Sequence, residues 1–228
     1  MPDRRPAPID RARRTVARLR SRGPAEIAGV ARGRVREWVR SDDELIMLVR
    51  AAAAPTPEVR HDPGLVFREA VPGDADLYAR VIGTDSATTF RRRLTPTTSC
   101  FLVEGGDELL HASWVTTGAA WTREIDAYVV PPAADAYVYE SFTRPEARGR
   151  GVYPFALAGI CAWARDAGLG QVWVAVEDGN APSLKAIRKA GFEVSYTMRY
   201  GRRRGRLTLV IEKPEGLVVP AVMSHIDG

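Results

Sequence analysis

A loop rich in glycine and arginine, PEARGRGVYP at residues 145–154, stands directly before a strongly apolar segment. Gly149 and Gly151 allow the backbone to approach a bound group closely, and free amide hydrogens converge where the following helix begins. The helix dipole adds positive potential at that end, and Arg148 and Arg150 reinforce it. These features predict an anion-binding loop with a pyrophosphate as the expected guest, and the alternative is a tight strand-to-helix turn with solvated arginines.

A second motif follows further along the chain. Asn180 opens the segment NAPSLKAIRKAGFE, and Gly191 is placed where a helix commonly ends at a left-handed glycine. The two motifs occur in this order within residues 65–212, and together they resemble the GNAT superfamily of acyltransferases. PEARGRGV is similar to that family's pyrophosphate loop, and NAPSLKAIRKAGFE is similar to the helix that follows it.

The resemblance implies a fold and a reaction. The expected fold is an α+β GNAT fold, a mixed and mostly antiparallel sheet with a splayed edge flanked by helices. The expected reaction is direct transfer of an acyl group, acetyl in the first instance, from acetyl-CoA or another acyl-CoA to an amine. No metal is expected, and a small-molecule amine is the expected acceptor.

The resemblance also implies which residues bind the donor. Backbone groups of the segment 141–143 are expected to hold the pantetheine arm as a pseudo-strand, and the loop amides are expected to hold the pyrophosphate. Asn180 is expected near the thioester or the pantetheine arm, whereas Ser183 stands at a helix start, where capping is an equal explanation. The predicted donor-binding residues are Ser141, Phe142, Thr143, Arg148, Gly149, Arg150, Gly151, Val152, Tyr153, Pro154 (which has no N–H and can only line the loop), Asn180 and Ser183.

Three positions depart from the family pattern. Tyr153 stands where many members have glycine or alanine, so its ring must be accommodated in the loop or turned toward the acyl pocket. Ile187 stands where many carry a tyrosine general acid, and Ala175 where some carry a glutamate base. The usual acid and one usual base are therefore missing, and other side chains or positioning alone must serve the reaction.

Two residues are the leading candidates for the chemistry, and Glu177, whose position just before a helix favours a capping role, is the third. Glu140 is a carboxylate in the otherwise apolar, aromatic strand 136–142 beside the predicted pantetheine segment, where it could accept the proton of the amine. A position on the solvent face of the strand is the alternative. His111 lies on the strand after a predicted hairpin and is a candidate for acceptor contact or proton transfer, although a lone histidine is more often structural.

The elements that must position these residues follow from local patterns. Proline and glycine turns separate alternating apolar segments, and the apolar run at 152–167 predicts a helix. The short apolar run 44–49 fits either a strand or a buried helical turn. We predict strands at 65–69, 99–104, 108–117, 136–143, 171–176, 192–199 and 207–212, helices ending near 82 and at 86–93, 152–167 and 180–190, and a loop at 117–134.

A proline-containing connector at 51–64 divides the chain into two predicted regions, a basic extension with this connector at 1–62 and a GNAT domain at 63–228. The whole chain carries a net charge of +5, but residues 1–40 contain twelve arginines and four acidic residues, a net charge of +8. Basic and small apolar residues alternate in this segment with a spacing that is close to helical. This segment motivates an alternative donor, an acyl group on an acidic acyl-carrier protein or an aminoacyl-tRNA. A solvated amphipathic helix is the other explanation.

The sequence argues against a membrane protein, a secreted protein and a disulfide-linked or metal-binding cysteine framework. No stretch approaches the roughly 18 consecutive apolar residues that a membrane span needs, and no secretory signal is apparent. The two cysteines, Cys100 and Cys161, have neither disulfide nor metal-ligand spacing. We therefore expect a cytoplasmic protein without a membrane partner. A non-catalytic module that binds acyl-CoA or RNA is the alternative from another class.

Overall fold

The computed structural model describes residues 40–203 and 206–224, which contain eleven strands, four α-helices and two short 3-10 turns. The predicted helical segments at the N-terminus lie outside these residues. The strands are β1 Arg40–Ala51, β2 Leu65–Glu69, β3 Thr98–Gly105, β4 Glu108–Thr116, β5 Ala120–Thr122, β6 Ala127–Val130, β7 Ala136–Thr143, β8 Gln171–Glu177, β9 Glu193–Arg203, β10 Arg206–Glu212 and β11 Ala221–Met223. The helices are α1 Ala75–Val81, α2 Ala87–Arg93, α3 Val152–Asp166 and α4 Ala181–Lys189.

Eight strands form one sheet in the order β10-β9-β1-β8-β7-β4-β3-β2. Its neighbouring strands are antiparallel except β7 and β8, which run parallel. The parallel pair requires a long crossover, and α3 supplies it. The expected α+β architecture with a mixed, mostly antiparallel sheet is confirmed.

Strand β1 lies in the middle of this sheet, between β8 and β9. Leu45, Ile46, Met47 and Leu48 are all buried because helices or loops cover both faces of the sheet at this point. A strand buried on both faces has a continuous apolar run, so its sequence shows no alternation. The division after residue 62 stays a prediction, but β1 belongs to the same sheet as the strands that follow it.

The helices pack on opposite faces of the sheet. Helices α1 and α2 cover one face in a core that includes Trp114 and Tyr137, and α3 and α4 cover the other in a core that includes Val138. Tyr137 and Val138 are consecutive in β7 and enter different cores, as the alternation of a strand requires. Both faces of β7 are therefore packed at its N-terminal half.

A second, three-stranded sheet has the order β11-β6-β5. The prediction of a loop over 117–134 is therefore wrong in part, since β5 and β6 form a hairpin there. These strands have three and four residues, too few for alternation to be recognised, and β6 pairs with β11, which lies far along the chain. Val219 and Val222 from the C-terminal segment pack against the first core, so this apolar tail packs on the body of the protein.

Among the described residues, no helix is both long enough and apolar enough to span a membrane. Cys100 and Cys161 are buried free thiols. Burial raises the pKa of both thiols, since an apolar environment disfavours the thiolate. Both cysteines therefore act as small apolar side chains in the packing.

Candidate active site

Strand β7 separates from β8 part-way along its length. It pairs with β8 only through Ala136–Val138, whereas its pairing with β4 continues to Thr143. Strand β8 continues alongside β1 to Glu177. The residues of β7 change from buried to half-buried at Glu140, so the two strands diverge into a gap that we call the sheet opening. Ser141–Thr143, the predicted pantetheine-binding residues, border it.

A bulge shapes the strand at this opening. Tyr139 lies opposite Trp114 and Phe142 opposite Ala112, so two residues of β7 face a single residue of β4. Glu140, the first of the two, has a φ of 50°, a left-handed conformation that is uncommon for residues other than glycine. The extra residue reverses the alternation of side chains, so those on the C-terminal side of the bulge exchange faces.

The carboxylate of Glu140 is ion-paired rather than isolated among apolar groups. Arg93 Nη1, at the end of α2, donates to Glu140 Oε2 at 2.8 Å and also to Asp85 Oδ2. The side chains of Arg93 and Asp85 are 4% and 0% exposed, whereas that of Glu140 is 23% exposed. The guanidinium lies 3.9 Å above the ring centre of Trp114. Glu140 is therefore the accessible end of an otherwise buried charge cluster.

His111 lies beneath the opening, fully buried. Its Nδ1 is 2.7 Å from Thr143 Oγ1 and its Nε2 is 2.7 Å from Ser113 Oγ, which in turn is 2.7 Å from Ser141 Oγ. Tyr153 stacks on the imidazole at 5.3 Å and hydrogen-bonds to Ser141. Burial lowers the pKa of His111 to about 3 and raises the pKa of Tyr153 to about 12. The neutral side chains of His111, Ser113 and Tyr153 thus contact the segment 141–143 on the face of the sheet that α3 covers.

These contacts answer the question about Tyr153, whose ring turns inward under β7. They also give His111 a structural task, because both ring nitrogens have partners within the network. A role of His111 in proton transfer or acceptor contact stays a prediction.

The burial of His111 makes the stability of the fold depend on pH. Its pKa is about 3 in the folded chain against 6.5 for a free imidazole. The unfolded chain therefore binds more protons below 6.5, and stability falls as the pH falls from that value toward 3. We expect about 2 kcal/mol of unfolding free energy to be lost between pH 7 and pH 5 through this residue. Urea titrations at both pH values measure it.

His111→Gln is expected to remove that part of the pH dependence while lowering stability at pH 7. Ser113→Ala is the matched control, because it removes one partner of the imidazole and keeps the titrating group. It should lower stability at both pH values and keep the wild-type difference between them. An equal pH dependence in wild type and His111→Gln would contradict the buried, neutral imidazole.

The predicted anion loop joins β7 to α3. Pro145–Ala147 forms a 3-10 turn, and α3 begins directly after Gly151. Gly149 and Gly151 have φ values of 80° and 77°, a region in which only glycine is unstrained. Gly151 is the N-cap and has no side chain to bond the first amides of the helix. Those amides and the positive end of the dipole are therefore presented at the end of the sheet opening.

The two arginines of this loop make contacts within the protein. Arg148 is exposed, and its Nε donates to the carbonyl oxygen of Thr143 at 3.4 Å. Arg150 Nε lies 2.5 Å from Asp62 Oδ2, and both of these side chains are 41% exposed. Neither interaction is buried, so a stronger anion can compete for either guanidinium at small cost.

The connector, residues 52–64, runs against the same loop. The backbone N–H of Asp62 donates to the carbonyl oxygen of Arg150 at 3.1 Å, and His61 packs its ring 4.5 Å from that of Phe155. A Cβ atom at Gly151 would lie 2.2 Å from the carbonyl oxygen of Arg60. The connector therefore leaves no room for a side chain at this position.

Helix α4 begins at the same end of the sheet. Asn180 is its N-cap, and its Oδ1 accepts from the backbone N–H of Ser183 at 3.3 Å. Asn180 thus carries out the capping, and Ser183 supplies the N–H. Because β7 and β8 are parallel, α3 and α4 both start at their carboxyl edge, so two helix N-termini flank the sheet opening. In open α/β sheets, crevices at such an edge are where ligands bind.

The family assignment follows from a match to the part of the chain that carries this geometry. Residues 84–192 match the model of the acetyltransferase (GNAT) family, a range that extends from the turn before α2 to the end of α4. The chain contains a GNAT-superfamily domain over these residues. The fold expected from the two motifs is thereby confirmed, and members of this superfamily use an acyl-CoA as co-substrate. No curated protein matches the chain.

Comparison with solved structures gives matches at low sequence identity. The GCN5-related N-acetyltransferase from Sphaerobacter thermophilus is 15% identical with a TM-score of 0.51, over 81% of this chain and 56% of that protein. The chain thus spans little more than half of that protein's length. An aminoglycoside acetyltransferase, meta-AAC0020, from an uncultured soil metagenomic sample is 10% identical with a TM-score of 0.46. The match covers 57% of this chain and 88% of that protein. Mycobacterium smegmatis RimJ, solved with CoA-disulfide, is 14% identical with a TM-score of 0.39. The match covers 61% of this chain and 76% of that protein.

Two positions lack the side chains that many GNAT proteins use for proton transfer. Ile187 is 1% exposed and packs in the core of α3 and α4. Ala175 is partly buried on the face covered by α1 and α2. Ala175 and Ile187 have no titratable group, so neither position can take part in proton transfer.

Sequence reasoning missed several residues of this site. Arg93 donates to both Glu140 and Asp85, Ser113 links His111 to Ser141, and Asp62 contacts the anion loop. Arg93 is the last of three consecutive arginines in a predicted helix. Its spacing of three residues from Phe90 puts it on the buried face of the helix. This spacing was the feature of the sequence that could have indicated a buried arginine.

Proposed function

We propose that this chain transfers an acyl group, acetyl in the first instance, from CoA to an amine acceptor by direct attack. The observation that carries the proposal is the sheet opening between β7 and β8, with the N-termini of α3 and α4 at its end. An extended pantetheine arm fits beside Ser141–Thr143 in the manner of an added strand. The diphosphate then reaches the amides at the start of α3.

The proposed chemistry needs one new bond, one broken bond and one proton acceptor. The neutral amine nitrogen attacks the thioester carbonyl carbon, and a backbone N–H at the opening donates to the developing oxyanion. The carbon–sulfur bond then breaks and the sulfur leaves as a thiolate. Glu140 takes the proton that the nitrogen loses, directly or through a water molecule. Its carboxylate is the acidic group of β7 and is partly exposed at the bulge.

Binding and turnover test this proposal together. Calorimetry with CoA and acetyl-CoA is expected to give a Kd of about 1 µM, equivalent to about 8 kcal/mol. Release of the free CoA thiol is then followed with a thiol-reactive aromatic disulfide, with primary and secondary amines as acceptors. Binding with turnover of at least one amine supports the proposal. Binding without turnover over a wide panel would favour the non-catalytic, acyl-CoA-binding alternative.

The basic segment 1–40 favours a second candidate, in which the donor is an acyl-carrier protein or an aminoacyl-tRNA. Its net charge of +8 suits an anionic macromolecule. Failure of free CoA to bind would favour this candidate. Affinity for a macromolecular donor should then fall by orders of magnitude between 50 and 200 mM salt, and deletion of residues 1–39 should abolish it. Donor affinity that is insensitive to both changes would eliminate this candidate.

The acceptor is proposed only as a small-molecule amine. The hairpin of β5 and β6 and the C-terminal strand β11 pack over the face of the sheet on which α1 and α2 lie. The partly buried ring pair Trp121 and Tyr128 lies in this second sheet, at 5.0 Å. We propose that these elements determine acceptor selectivity.

We propose a cytoplasmic location from the two buried free thiols.

A further inference from the structure

The Arg93 side chain connects helix α2 to the bulge of β7. Its Nη1 atom donates to Asp85 Oδ2 from the turn before α2 and to Glu140 Oε2 from the strand. The guanidinium also lies 3.9 Å from the ring centre of Trp114 and 5.4 Å from that of Tyr139. The arginine is thus held by two charges and two aromatic faces at once.

The backbone at Glu140 needs such a restraint. Its φ of 50° is a conformation that residues with a Cβ rarely adopt, and it occurs where β7 separates from β8. Backbone outliers of this kind persist only where the surroundings fix them, and they cluster at functional sites. The contacts of Arg93 fix the carboxylate of the residue that carries the outlier.

We propose that Arg93 is a positioning residue that holds the Glu140 carboxylate at the sheet opening in the orientation that accepts the proton. This inference rests on the proposed role of Glu140. Nη1 donates to both carboxylates while the planar guanidinium stacks on an aromatic ring, an arrangement that an ammonium group does not reproduce. The Glu140 side chain stays 23% exposed at the bulge while its Oε2 is bound to Arg93.

The alternative is that Arg93 only neutralises the buried Asp85. The two roles differ in how they couple to Glu140. A neutralising residue affects folding and donor binding as much as turnover, whereas a positioning residue acts on turnover through the carboxylate that it holds. A double-mutant cycle separates the two roles, because an effect transmitted through Glu140 disappears when Glu140 cannot act.

The test compares Arg93→Lys, Glu140→Gln and the double variant in the full chain, with Arg91→Lys as a control. Arg91 lies in the same helix, is exposed and pairs with Asp76. We expect Arg93→Lys to lower kcat about 30-fold, with the donor KM and the CoA Kd within about twofold of wild type. The double variant should be no slower than Glu140→Gln, and Arg91→Lys should match wild type.

A loss from Arg93→Lys that is equally large in the Glu140→Gln background would overturn the inference, as would an effect on KM alone. No loss from Arg93→Lys, with a large loss from Glu140→Gln, would overturn it and leave the proposed function intact. No loss from Glu140→Gln would overturn the proposed role of Glu140 itself. If Arg93→Lys does not fold, Asp85→Asn takes its place in the cycle, because it weakens one of the two contacts that orient the guanidinium and keeps the pair with Glu140. The same non-additivity is expected of it.

Discussion

Glu140→Gln is expected to lower kcat by about 100-fold or more while leaving CoA binding unchanged. Glutamine has the same shape as glutamate, and its oxygen can still accept from Arg93 Nη1, which lies 2.8 Å from the native carboxylate. The amide cannot take a proton from the attacking amine. The loss should therefore be confined to the chemical step, since Glu140 contributes no proposed contact to the diphosphate.

Glu104→Gln is the matched control for this substitution. Glu104 also lies in a strand of the main sheet and is paired with an arginine, with Arg68 Nη2 at 2.6 Å from its Oε1. It lies on β3, which is separated from β7 and the sheet opening by β4 and pairs on its other side with the edge strand β2. Loss of a strand carboxylate and of an arginine ion pair is common to both variants. Only the change at Glu140 should slow turnover.

Steady-state kinetics with saturating donor and calorimetry with CoA measure the two quantities separately. A fall in kcat with unchanged Kd supports Glu140 as the proton acceptor. Equal turnover of Glu140→Gln and wild type would contradict that role and would direct attention to His111 and to water at the opening. A parallel loss of CoA binding would instead indicate that the bulge had collapsed.

Individual strands of the main sheet were predictable where local sequence patterns specify them. Strand β2 at Leu65–Glu69 and strand β7 at Ala136–Thr143 have the bounds that apolar patterns and turn residues predicted. The hairpin of β3 and β4 follows from the Gly105-Gly106-Asp107 turn. Local chemistry was sufficient for these elements because each signal stands within a few residues of the structure that it specifies.

Long-range pairing was not predictable in the same way. The short strand β11 pairs with β6, and β1 inserts between β8 and β9, although nothing near either segment specifies its partner. The same limit applies to the site. The anion loop and Asn180 are recognisable as motifs, whereas Arg93 and Asp62 join the site only through tertiary contacts with Glu140 and Arg150. Those contacts arise from packing between elements that are far apart in sequence.

Gly151→Ala is expected to reduce CoA affinity by about 30-fold or more, because the position requires both a left-handed backbone and the absence of a side chain. Its φ of 77° disfavours alanine by about 1–3 kcal/mol. A methyl group would also meet the Arg60 carbonyl oxygen at 2.2 Å and the Cα of His61 at 2.7 Å. Both neighbours are backbone atoms, so either the connector or the start of α3 must move.

Gly168→Ala separates the two effects. Gly168 follows the other end of α3 with a φ of 74°, and a Cβ atom there would meet nothing within 4 Å. Both variants carry the backbone strain, but only the Gly151 variant disturbs the loop that is proposed to bind the diphosphate. We expect Gly168→Ala to lower stability slightly and to bind CoA as wild type does.

Limited trypsin digestion reports on the connector in the same pair of variants. In the native packing, Arg60 and His61 lie against Gly151, and the Asp62 N–H is bonded to the Arg150 carbonyl oxygen. If the alanine methyl displaces the connector, cleavage after Arg60 should become faster in Gly151→Ala and stay slow in Gly168→Ala. Faster cleavage with intact CoA binding would show that the connector covers the loop without shaping it. Lost CoA binding with unchanged cleavage would show that the added methyl group displaces the start of α3 rather than the connector. The helix N-terminus itself would then be the determinant of donor affinity.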